Sequence, residues 1–171
     1  MDYSGKKASF YTLGCKLNFA ETSNIARRFE DIGFDRVEFS EQADVIVINS
    51  CSVTAEGDKK TRNIIRQAIR KNPISMVVVT GCYAQLQPEI IQKIEGVDLI
   101  IGSAGKQNIP AYLGNLIKKE QAEIHIQAPN EIRKYFHAYS FSDRTRSFLK
   151  VQDGCDYYCT FRKLRVRSPN E

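Results

Sequence analysis

Ala43-Asp44-Val45-Ile46-Val47-Ile48-Asn49 is a near-continuous apolar run that ends at Ser50-Cys51. A run of this kind suits a strand buried on both faces, as in a parallel sheet covered by helices. Ser75 to Thr80 (SMVVVT) repeats the pattern and ends at Gly81-Cys82. Ala8 to Thr12 is a shorter version that ends at Leu13-Gly14-Cys15. A helical pattern follows each run. Asn18 to Ile32 places Phe19, Ile25, Ala26, Phe29 and Ile32 on one side, with Gly33 as its stop. Ala55 to Lys71 is a second helix, ended by Asn72-Pro73. Phe34 to Phe39, Val97 to Ile101 and Glu123 to Gln127 read as further strands. Pro88 opens a short helix that runs to Glu95, and Asn108 to Lys119 is read as helical. Strands alternate with helices at βα spacing. The pattern predicts an α/β fold: a doubly wound, mostly parallel sheet with helices on both faces and right-handed crossovers.

The chain has 171 residues, 42% of them hydrophobic and 26% charged, with a net charge of +5. That suffices for one domain and an appendage. No stretch approaches the roughly 20 apolar residues that a membrane helix needs. Met1 to Lys7 lacks the apolar segment of a signal peptide, so a cytoplasmic protein is expected. Five cysteines, an odd number, fit a reducing compartment where thiols are free for metal. The expected organisation is a domain over 1–127, a linker over 128–146 and the start of a second domain over 147–171. The positive charge is concentrated between Arg133 and Arg167, which hints at a polyanion partner; a solvated tail is the alternative.

The three cysteines at strand ends decide the functional reading. In an α/β sheet, ligands bind outside the carboxyl ends of the strands. Cys15, Cys51 and Cys82 deliver three thiols to that edge, a site for a soft metal or an iron–sulfur cluster. Free cysteine is also among the most buried residue types. Burial alone, however, does not call for the turn glycines Gly14 and Gly81. Zinc is the rival, but structural zinc wants four ligands, often as closely spaced pairs. Here the cysteines are 36 and 31 positions apart, and neither His125 nor His137 is an obvious fourth ligand. Three thiolates suit a [4Fe–4S] cluster with one iron left open.

Asn18, Asn49, Ser50 and Thr54 flank the cysteines and are candidates for orienting them. Helix capping is the alternative, at Asn18 before Phe19 and at Thr54 before Ala55. Lys59, Arg62, Arg66 and Arg70 form a single helical stripe, with Ile64 and Ala68 opposite. The stripe is a candidate for RNA phosphates, against the alternative of a solvated face. Gly102-Ser-Ala-Gly105-Lys106 lacks the spacing of a P-loop and reads as a turn before a helix.

TLGCKLN (12–18), NSCSVTAEGDKK (49–60), VVVTGCYAQLQP (77–88) and LKVQDGCDYYCTF (149–161) together resemble the N-terminal part of the radical S-adenosylmethionine tRNA methylthiotransferases. The start GCK-x-N, with SVT after the second cysteine, resembles the branch acting on N6-threonylcarbamoyladenosine beside the anticodon. The resemblance implies that Cys15, Cys51 and Cys82 hold an auxiliary [4Fe–4S] cluster whose open iron carries sulfur. It also implies a second [4Fe–4S] cluster on a CxxxCxxC motif, which binds and cleaves S-adenosylmethionine, and a tRNA partner. Cys155 and Cys159 begin that motif, but Arg162 stands where its third cysteine is due. A truncated or frame-shifted member is therefore expected, inactive alone in radical chemistry. The alternative is a truncated α/β module that binds metal or RNA without catalysis.

Overall fold

Residues 2–52, 54–128, 137–140 and 147–151 are described by a computed structural model. Two strands form the centre, β3 (Val45–Ser50) and β4 (Met76–Gly81), and every residue in both is buried. Around them lie β1 (Lys7–Thr12), β2 (Asp35–Val37), β5 (Leu99–Ile101) and β6 (Glu123–His125). The order is β2-β1-β3-β4-β5-β6, and every pairing is parallel. The expected doubly wound α/β sheet is the observed one. Chain order reverses between β1 and β3, which makes their carboxyl ends the topological switch point.

Alternation along the central strands sorts the two faces. Ile46, Ile48, Val77, Val79 and Ile100 pack on α2 (Ala55–Lys71), α3 (Cys82–Leu86) and α4 (Pro88–Gln92) through Ile65, Ala68, Tyr83 and Ile91. Val45, Val47, Met76, Val78, Leu99 and Ile101 pack on α1 (Lys16–Glu30) and on the segment from Lys106 to Tyr112 through Ile25, Phe29 and Ile109. Each such large side chain contributes about 1.5–3 kcal/mol on burial. No helix among the described residues is long and apolar enough to cross a membrane.

Two expectations change in detail. The helix expected over Asn108–Lys119 is instead a 3-10 segment, Lys106–Tyr112. Pro110 lies inside it, and Asn108 leaves helical geometry at φ −114° and ψ 21°. Proline withdraws a backbone donor, so a longer helix cannot propagate through it. The chain then turns at Gly114 and Leu116, both at positive φ. The helix expected from Pro88 to Glu95 stops at Gln92, and Cys82–Leu86 forms its own short helix before it.

At the amino edge of the sheet, Asp98 is wholly buried. It accepts from Val77 N at 2.7 Å, Lys119 N at 2.7 Å and Lys118 Nζ at 2.9 Å. Lys118 Nζ also donates to Ser75 O and Gly96 O, both at 2.9 Å. One carboxylate thus joins β4, the turn before β5 and the chain entering β6. Removing one partner of a buried ion pair strands the other, so Asp98→Ala is expected to destabilise by about 3–5 kcal/mol. Urea unfolding measures this; a loss under about 1 kcal/mol is incompatible with it.

Candidate metal centre at the carboxyl edge of the sheet

The register of three strands gathers the cysteines. Thr12 lies opposite Asn49, and Ser50 lies opposite Gly81. Cys51 and Cys82 therefore leave the sheet side by side, and Cys15 emerges from the strand on the other side of β3. All three are free thiols; Cys15 is exposed, and Cys51 and Cys82 are half-buried. Cys15 is also the N-cap residue of α1, with extended backbone and no side-chain cap bond.

Both turn glycines are required by geometry. Gly14 has φ +98°, and a Cβ there would stand 2.5 Å from Cys51 Sγ. Gly81 has φ +99°, and a Cβ there would run into Ser50 O and come within 2.7 Å of Asn49 Oδ1. Side chains at these points would fill the space beside the thiols.

A buried polar net backs the edge. Asn18 Nδ2 donates to Leu13 O at 2.8 Å and to Ser50 O at 3.0 Å. Asn49 Nδ2 donates to Asn18 O at 3.0 Å and Thr22 Oγ1 at 3.1 Å. Ser50 Oγ donates to Thr80 O and accepts from Ala84 N at 3.2 Å. These bonds tie the turns after β1, β3 and β4 to one another. Asn18 sits within α1, not at its start, so the capping alternative for it is replaced by this cross-strand role. Thr54 does cap α2, its Oγ1 accepting from Gly57 N at 3.0 Å. Asn49 Oδ1 is buried with no partner, beside the Gly81 turn.

Burial pushes the Cys82 thiol above its ordinary pKa; Lys106 pulls it back, while Cys51, Glu21 and Cys15 push it further up. Lys106 belongs to a buried ion bridge that local sequence does not reveal. Glu21 on α1 accepts from Lys106 Nζ at 2.6 Å and from Lys150 Nζ at 3.2 Å. Burial raises the Glu21 pKa, but the two ammonium groups outweigh it and hold the carboxylate below its usual range. A glutamate on the buried face of a helix, beside Asn18, Thr22 and Ser23, was the available signal.

The basic stripe is divided. Lys59, Arg66 and Arg70 are exposed. Arg62 instead turns inward, and its Nη1 donates to the hydroxyl of fully buried Tyr83 at 2.7 Å. It joins α2 to the helix that begins at Cys82. Arg66 and Arg70 line a surface groove with Asn63, Ile69 and Glu95. Cys155, Cys159 and Arg162 lie outside the described residues.

Among the described residues, no three His, Cys, Asp or Glu side chains close on a single metal ion. Neighbouring strands are about 4.8 Å apart, so thiols spread over three strand ends span more than one ion coordinates at about 2.3 Å. A polynuclear group suits that spread and this soft donor set.

Residues 7–102 match the model of a family described as "Uncharacterized protein family UPF0004", and the chain belongs to that family. All three edge cysteines fall in the matched region. A Bacillus subtilis protein named threonylcarbamoyladenosine tRNA methylthiotransferase MtaB is 41% identical over 172 residues, 95% of this chain and 38% of the relative. Its Aquifex aeolicus namesake is 39% identical, over 91% of this chain and 38% of its own length. A Fusobacterium nucleatum tRNA-2-methylthio-N(6)-dimethylallyladenosine synthase is 29% identical, over 91% of this chain and 37% of its own length. The chain spans less than two fifths of the length of these relatives.

Gly5 gives a control for the glycine argument, since it has φ +78° but nothing within 4 Å of its missing Cβ. Gly5→Ala is expected to cost about 1–2 kcal/mol, the penalty of left-handed backbone alone. Gly81→Ala should cost distinctly more, because backbone must also move. Equal losses in urea unfolding would contradict the steric account.

Proposed function

We propose that this chain is the cluster-bearing N-terminal part of a tRNA methylthiotransferase that acts on N6-threonylcarbamoyladenosine next to the anticodon. The observation that carries the reading is the convergence of Cys15, Cys51 and Cys82 on the switch-point edge. Family membership and the names of the relatives support it. The three cysteines are the ligands of a [4Fe–4S] cluster, the donor set being all thiol. When bound in this way, the cluster keeps one iron without a protein ligand and supplies there an open position for sulfur.

The chain's own residues prepare that place. Gly14 and Gly81 keep the space beside the thiols clear. Asn18, Asn49 and Ser50 hold the three turns in register, so the ligands are fixed before metal arrives. Arg62 secures the helix that begins at Cys82. Lys59, Arg66 and Arg70 offer tRNA an exposed row of charge. Cys155 and Cys159 belong, in this reading, to the second cluster and S-adenosylmethionine.

Anaerobic reconstitution followed by iron, sulfide and zinc analysis tests the cluster. About four iron and four sulfide per chain are expected, with broad visible absorption that Cys82→Ala abolishes. One zinc per chain, or no metal, sinks the assignment and favours a metal- or RNA-binding module. A separate test addresses the tRNA surface, using only the exposed arginines. Arg66→Glu with Arg70→Glu is expected to weaken tRNA binding and flatten its salt dependence, by roughly one unit of log–log slope per lost phosphate contact. Unchanged affinity at low salt removes the stripe from the interface.

A further inference from the structure

Residues 137–140 and 147–150 pair with each other and seat on α1. Tyr139 bridges Leu149 in antiparallel register. Ser140 N donates to Phe148 O at 2.9 Å, and Lys150 N to Ala138 O at 2.8 Å. The pairing crosses the domain boundary expected at 146/147. Three kinds of contact hold it to the helix. Arg27 lies 4.1 Å from the Tyr139 ring centroid and donates to Tyr139 O at 2.6 Å. Phe148 meets Phe19 edge-on at 6.1 Å, with Lys16 Nζ 5.7 Å above its ring. Lys150 reaches inward to Glu21, where Lys106 arrives from the end of the sheet. Glu21 and Lys106 are each 5% exposed and Lys150 is 7% exposed, so the bridge is shut off from water.

We propose that Glu21, Lys106 and Lys150 form a positioning triad that sets the electrostatic potential at the Cys82 end of the cysteine edge and makes it depend on the seating of the 137–150 pairing. The proposal rests on the cluster reading for its purpose, but not for its test. Glu21 is six residues beyond Cys15 on the same helix, about 9 Å along its axis. On the other side, β5 runs beside β4 with Ile101 opposite Thr80. Cys82 follows Thr80 by two residues, and Lys106 follows Ile101 by five. The triad therefore stands between the helix that Cys15 begins and the strand end that delivers Cys82. Lys106 and Glu21 both act on the Cys82 thiol through space. Three thiolates repel one another, and a buried cation offsets that repulsion with little screening by salt. Lys150 contributes one of the two ammonium groups, and it comes from the paired segment. Loss of that charge changes the field at the edge whatever else Lys150 touches. Net charge near an iron–sulfur cluster is one determinant of its potential.

The test compares Lys150→Met, Lys150→Arg and the unaltered chain, first free of metal. Each is labelled with iodoacetate or iodoacetamide, and labelling at Cys82 is quantified by peptide mass. The ratio of the anionic to the neutral reagent reports local potential, because thiolate content and access cancel. Lys150→Met is expected to lower the ratio about two- to fourfold at low ionic strength, and Lys150→Arg to restore it. Hydrogen exchange should show lost protection at the Ser140 and Lys150 amides in Lys150→Met, with β3 and β4 unchanged. After reconstitution, the Lys150→Met cluster is expected to titrate at a more negative potential with the same iron content. An unaltered labelling ratio in Lys150→Met overturns the triad. A chain that takes up no iron but shows the ratio change retains the triad and removes the cluster reading.

Discussion

The register of β3 between β1 and β4 is the constraint on which the rest of this structure depends. A slip of one residue would send Ile46 and Ile48 to the face now occupied by Val45 and Val47. Both faces are closed by helices, so the slip would misplace apolar volume on each. The same register sets Ser50 beside Gly81 and hence Cys51 beside Cys82. Core packing and ligand placement are therefore one requirement. The thiols need no flexible loop to bring them together, because strand pairing has already done so.

That economy explains why the fold and much of the edge were legible in sequence. A strand buried on both faces must read as a continuous apolar run, and three such runs end at cysteines. Gly14 and Gly81 announced turns, and their positive φ and blocked Cβ positions give the reason. What stayed hidden depends on distant partners. Asn18 looks like a cap because it precedes Phe19, yet its amide bonds Ser50 across 32 positions. Glu21 meets Lys106 and Lys150 across 85 and 129 positions. Arg62 shares a stripe with Arg66 and Arg70, but only the burial of Tyr83 in the fold draws it inward. The segment around Pro110 carried its own warning, since periodicity alone cannot offset a missing amide.

The edge combines two kinds of rigidity. Hydrogen bonds from Asn18, Asn49 and Ser50 fix the turns relative to the sheet and use backbone carbonyls that would otherwise be buried unpaired. Asn49 Oδ1 is the exception, left without a partner where Gly81 passes. An orphaned acceptor costs stability. Its position follows from Asn49 Nδ2, which is committed to Asn18 and Thr22 and leaves the oxygen facing the turn. The side chain is spent on aligning α1 with the strand, and the unsatisfied oxygen is the consequence.

The ion bridge beneath this net raises a different question, because burying charge is a poor route to stability. Desolvating Glu21, Lys106 and Lys150 costs several kcal/mol per ion before their attraction offsets it, and apolar side chains of similar volume fill such spaces at least as well. An apolar filling, however, would be indifferent to small shifts of the paired segment over α1. A carboxylate gripped by two ammonium groups has one good geometry. It also leaves charge beside thiols that repel one another as they ionise. Stability alone gives no reason to place three ions there, whereas fixed position and fixed field together do.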